Sequence, residues 1–271
     1  MKGTRSMKIY EMINEDNNTI VGVLLYYEKE KSFLIELDDT LDEWSLPFLF
    51  SPLVKKGIHT IGREFSLMWV KERIIPSGRQ NISDILKTHK LKKYDEMHFL
   101  ELSHGRCSQD SLYIKRTDSL PDYVVTRRKH NLVDCTPIAD NTLLCFFSDG
   151  IVKKIPLSDL EGVEKIDKVR ENQLLFSSCT LGTDGYYITF NDSIDVPSWL
   201  LYEKGQLIPL TYEDFLSFTK NNIVDTSDSC KILECSRQNL SYMVRQEQLT
   251  PQKEDVKGNL YLKKDVLKLR W

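Results

Sequence analysis

The sequence predicts an α+β, multidomain chain, and three observations carry that expectation. The length of 271 residues suits two or three small domains better than one. Alternating apolar segments give way to helical periodicity and then to short, evenly spaced strands. The final segment, 228–271, is basic, whereas the rest of the chain is acidic. Hydrophobic residues make up 41%, enough for packed cores and too much for disorder. The formal net charge of -3 excludes a global polycation, so any phosphate-binding surface must be local.

The first domain is placed at 8–116. KIYEMI, TIVGVLLYYE and KSFLIEL alternate as strands, and the polar NEDNN suits a hairpin connection. REFSLMWVKERI, GRQNISDILKTH and KYDEMHFLEL read as helices, with Ile82, Ile85 and Leu86 sharing one face of the second. DSLYIKR reads as a returning strand, and 117–130, with Pro121 and its charges, as a connector. The second domain, 128–210, is expected to be small and β-rich. NTLLCFFSDGIVKKIPL is a strand, an Asp-Gly turn and a strand, and LLFSSCTLGTDGYYITF repeats that rhythm. TYEDFLSFTKNN is a helix leading to a second linker, NNIVDTSDS.

The third domain, 228–271, holds nine bases against six acids, a local balance of +3. A short helix is expected over 230–235. Ser236 can cap a second helix, because its hydroxyl can accept from an unpaired backbone N–H. In that helix Leu240, Met243 and Val244 fall on an inner face at i, i+3, i+4. Arg237, Gln238, Ser241, Tyr242 and Arg245 are left outside. LTPQKEDVKGNLYLKK suits a hairpin with Gly258 near its tip, and KKDVLKLRW a closing helix. This order of residues resembles the winged helix-turn-helix of the MerR and excisionase type. The resemblance rests on Ser236-Arg237, Leu240, Leu249 with Pro251, Tyr261 with Lys263, and Asp265-Val266-Leu267.

It implies double-stranded DNA as partner. Arg237 would donate bidentately to guanine O6 and N7, while Gln238 and Asn239 suit adenine N6 and N7. Ser236, Tyr242 and Arg245 complete the reading helix, and Lys253, Lys257 and Lys263 would hold phosphates. Glu254 and Asp255 put acid on the wing, which fits weak monomer affinity and binding as a homodimer.

The first domain resembles the N-terminal subdomain of HipA-type toxin kinases, which also occurs as a separate small protein. The landmarks are Val21-Gly22-Val23-Leu24, a Leu46-Pro47-Phe48 strand, Ile74-Ile75-Pro76 with Arg79, and Gly105-Arg106-Cys107-Ser108. Gln109-Asp110 stands where that family has small residues. The kinase core has no counterpart here, so the resemblance implies docking onto a separately encoded HipA-like kinase. Trp44 and Trp69 are read as core residues that could instead anchor an interface. The middle domain is similar to a bacterial family of unassigned function. It carries Phe147-Ser148-Asp149-Gly150, Leu157 with Leu160, Gly185 through Phe190, and Ile194-Asp195-Val196.

No catalytic constellation is legible, and no enzyme, cofactor or metal is expected. The five histidines, His59, His89, His98, His104 and His130, are scattered. The acidic ELDDTLDEW reads as a solvated face. Cys107 beside Arg106 lacks an identifiable base. Cys107, Cys135, Cys145, Cys179, Cys230 and Cys235 show no CxxC spacing, so reduced thiols are expected. No apolar run of ~18 residues predicts a membrane span. The basic start has no apolar stretch behind it, and Met7 is an alternative start.

The expectation is a cytoplasmic, bacterial-type transcriptional regulator of a toxin–antitoxin system. It would bind operator DNA through 228–271 and a HipA-like kinase through 8–116. A ligand-sensing transcription factor and a non-DNA protein adaptor stand as alternatives.

Overall fold

The computed structural model describes residues 7–42, 44, 46–208, 212–253 and 258–270. The protein is α+β, with several antiparallel sheets and 12 α-helices among these residues. It divides into two compact units, Ser6–Val125 and Thr126–Trp271.

In the first unit, β1 (Met7–Asn14) and β2 (Thr19–Tyr27) form the expected antiparallel hairpin. Asn18 takes the left-handed conformation its short amide tolerates, and Asn17 Oδ1 accepts from Thr19 N at 3.1 Å. β3 (Ser32–Leu37) pairs with β2 and is buried at every residue. The chain then turns at Asp38, whose Oδ1 accepts from Thr40 N at 2.8 Å. It continues through α1 (Ser51–Val54), β4 (Thr60–Ile61), α2 (Arg63–Lys71), α3 (Ile82–Thr88), α4 (Glu96–Ser103) and β5 (Leu112–Thr117). β5 returns against β1, giving the order β4-β3-β2-β1-β5.

The first core gathers Leu24, Ile35, Phe50, Trp69 and Met97, so Trp69 is a packing residue. At Gly22 an added Cβ would lie 2.4 Å from Glu36 O, so β2 meets β3 there only with glycine. Gln109-Asp110 also has a structural reading. Asp110 forms an ion pair with Arg73, which is 5% exposed and lies over the Trp69 ring.

Three expectations differ here. No strand forms at 46–48: Pro47 offers no N–H, and its carbonyl instead accepts from Phe50 N at 2.9 Å on the way into α1. α3 forms, but Ile82, Ile85 and Leu86 are only half-buried. The connector at 117–130 is mostly helical, with α5 (Asp122–Arg127) followed by one 3-10 turn.

The second unit begins with β6 (Leu132–Ile138), β7 (Thr142–Phe147) and β8 (Val152–Pro156), a meander completed on the far side of β8 by a later strand. The Ser148-Asp149-Gly150 turn is held locally. Asp149 Oδ1 accepts from Ile151 N at 3.0 Å, and its Oδ2 accepts from Tyr202 Oη at 2.7 Å. α6 (Ile166–Glu171) and α7 (Gln173–Ser177) precede β9 (Cys179–Leu181), β10 (Tyr187–Phe190) and β11 (Ile194–Pro197), which form the sheet β11-β10-β9.

LLFS is therefore helix, not strand. Asn172 Oδ1 caps it by accepting from Leu175 N at 3.1 Å, and Phe176 is buried in the core with Leu143, Ile155, Phe190 and Val196. At Gly185, φ is +73° and an added Cβ would lie 2.0 Å from Leu132 O, which ties this residue to β6. α8 (Ser198–Lys204) leads to β12 (Gln206–Leu207), which closes the order β12-β8-β7-β6, and then to α9 (Tyr212–Asn222).

The expected second linker is structured. β13 (Ile223–Asp225) runs directly into α10 (Thr226–Leu233), which begins earlier than the predicted 230–235 helix. α11 (Arg237–Arg245), β14 (Leu260–Leu262) and α12 (Lys263–Lys268) follow, and β14 pairs antiparallel with β13. Leu240, Leu249, Tyr261 and Val266 form a separate small core.

Candidate nucleic-acid interface

Two caps fix the helices of this region. Asp225 Oδ1 accepts from Asp228 N at 2.8 Å and opens α10, while Ser236 Oγ accepts from Asn239 N at 3.2 Å and opens α11. Between them Glu234 sits in the left-handed region at φ 53°, ending α10 with Cys235 N donating to Cys230 O at 3.1 Å. The turn is short, so α11 leaves at once on a new course. Leu240 is 1% exposed, and Met243 and Val244 pack beside it, so one face of α11 is committed to the core.

The opposite face is open. Ser236, Arg237, Gln238 and Asn239 are exposed at the front of α11, and Tyr242 and Arg245 are exposed further along it. Arg237 Nη2 donates to Ser227 Oγ at 3.1 Å, an exposed contact to α10 that orients the guanidinium without burying it. Arg245 Nε donates to Ser241 O at 3.4 Å on the same helix. Lys253 is exposed and forms an isolated bridge with Leu260, so the chain does turn back beyond α11. Lys257, Glu254 and Asp255 lie outside the described residues.

Lys263 is placed elsewhere. It is half-buried and lines a cavity with Cys135, Thr136 and Cys179 of the middle module. It acts on Asp134, a residue that reading the sequence did not single out. Asp134 is 5% exposed, and burial pushes its carboxyl up to about 6. The Cys135 N–H, 2.9 Å from Oδ1, and the Lys264, Lys263 and Lys268 ammonium groups act in the opposite direction. Part of the basic character of α12 therefore answers an internal carboxyl. The hidden partner, Asp134, is far off in sequence and gives no local signal.

Among the described residues no group of three or more His, Cys, Asp or Glu side chains is arranged to hold a metal ion. No helix of the described residues is long and apolar enough to cross a membrane. The chain matches no family model, and no curated protein or solved structure is found to be similar to it.

Proposed function

We propose that this protein is a cytoplasmic, antitoxin-like transcriptional regulator that reads operator DNA with the front of α11. The supporting observation is that Arg237, Gln238 and Asn239 are all exposed at the first turn of a helix whose opposite face is anchored by Leu240. Helix-turn-helix proteins present the start of their second helix to base edges in the major groove. The preceding helix, the short turn, and the β13–β14 pair ahead of a closing helix agree with a winged form of that motif. Palindromic operators are read by dimers, so a homodimer is part of the proposal.

Residues 8–116 dock onto a HipA-like kinase in this reading. Trp44 and Phe48, 86% and 90% exposed on one connection, are the most exposed of the large apolar side chains described there and suit anchors.

Fluorescence anisotropy with the promoter of the protein's own gene tests the central claim. Arg237→Ala weakens binding by about 1–3 kcal/mol, the worth of one bidentate base contact, and relaxes preference at one base pair. Equal affinity of wild type and variant for promoter and scrambled DNA would remove direct readout by Arg237.

A further inference from the structure

A cavity of about 330 Å³ lies within the second unit, between the middle module and the helices flanking the proposed reading head. Its size is that of a small-molecule pocket. β6, α7 and β9 supply one wall, while α9 and the first residue of α12 supply the other. The chemistry of the lining is one-sided. Lys220 and Lys263 bring two ammonium groups, and among the described residues no acidic side chain lines the space. Gln173, Asn221 and Asn222 add amides, and Ser177 and Ser217 add hydroxyls.

One further feature points to a ligand. Thr136, another lining residue, is 1% exposed, and its hydroxyl has no hydrogen-bond partner among the described residues. Such a group normally has one. Cys135 and Cys179 also line the cavity; burial holds the Cys135 thiol well above its ordinary range, and the hydrogen bond with Cys135, with burial behind it, does the same for Cys179, so they add no negative charge. Lys263 is attracted to Asp134 from one side, but Lys220 is exposed and among the described residues has no such neighbour lining the cavity.

We propose that this cavity binds a small hydroxylated metabolite bearing a carboxylate or phosphoryl group. The anion is held by Lys220 and Lys263, through charge-assisted hydrogen bonds that are the strongest such a lining offers. Its hydroxyls meet the amides of α9 and the serines. Because α12 also packs on α10, whose Ser227 holds Arg237, occupancy bears on the helices of the DNA-reading module. That consequence rests on the proposed function, whereas the binding itself does not.

Calorimetric titration of the full chain, without DNA, tests the site with inorganic phosphate, citrate, glucose 6-phosphate and, as neutral control, glucose. The expected result is saturable binding of at least one of the three oxyanions, one per chain, and none of glucose. Preference for citrate or for the phosphoryl probes distinguishes the two anion chemistries. Lys263→Met and Lys220→Met each weaken that binding about ten-fold, the loss of one charged contact, and Ser177→Leu blocks it by filling the space. Lys220 and Ser177 are exposed, so their variants serve even where Lys263→Met disturbs folding. The proposal is overturned if no oxyanion saturates, if glucose binds equally well, or if the folded variants bind as wild type does.

Discussion

Asp134 shows how one side chain can tune this protein. Its carboxyl is buried, Oδ1 accepts from Cys135 N, and Oδ2 has no hydrogen-bond partner among the described residues. Taking an ionised carboxylate out of water is unfavourable, and three nearby lysines offset only part of that cost. The folded-state pKa, about 6, therefore lies above the ordinary value of 3.8. A group raised in this way stabilises the fold below its unfolded pKa and loses that contribution as pH rises through the folded one. At pH well above 6 the ionised form costs on the order of 3 kcal/mol relative to the protonated form. Asp134→Asn keeps the acceptor for Cys135 N and removes the ionisation. The variant is expected to be more stable than wild type above about pH 6, with the gap closing by about pH 4. Thermal melts across that range read the difference, and a gap that does not change with pH would rule out ionisation as its source.

At the level of elements, the caps decide where α11 starts. Ser236→Ala removes the acceptor for Asn239 N and lowers stability by about 1 kcal/mol, while Ser236→Asp restores it. Equal melting temperatures for Ser236→Ala and wild type would show that the cap does not hold α11. This helix was legible in the sequence because Leu240, Met243 and Val244 repeat at helical spacing behind a capping residue. The β1–β2 hairpin and β3 were legible for the corresponding reason, strand alternation bounded by a polar turn. β13 was not, since Ile223 and Val224 form a three-residue strand too short to show any period. Its signal was the β-branched pair directly ahead of the Asp225 cap, and only pairing with β14 makes it a strand. α7 was misread because a short apolar run such as Leu174-Leu175-Phe176 fits either period, and the Asn172 cap is the sole local discriminator. The position of Lys263 follows from long-range packing, which no local pattern encodes.

For the molecule as a whole, the two compact units predict that stability is not a single quantity. Each has its own hydrophobic core, and the division falls within α5. Multidomain chains of this kind depart from all-or-none unfolding. The first unit holds the Arg73–Asp110 ion pair, and Asp110→Ala leaves the buried guanidinium without that partner. Removing one member of a buried pair costs about 3–5 kcal/mol. The second unit holds Asp134, whose effect is pH-dependent. Calorimetric melts are therefore expected to resolve two transitions. Asp110→Ala lowers one of them, and Asp134→Asn raises the other above about pH 6 while leaving the first in place. One coincident transition, shifted by both substitutions, would mean that the units unfold as a single cooperative body. Kinase docking by one unit and DNA reading by the other, as proposed, would then be strongly coupled thermodynamically.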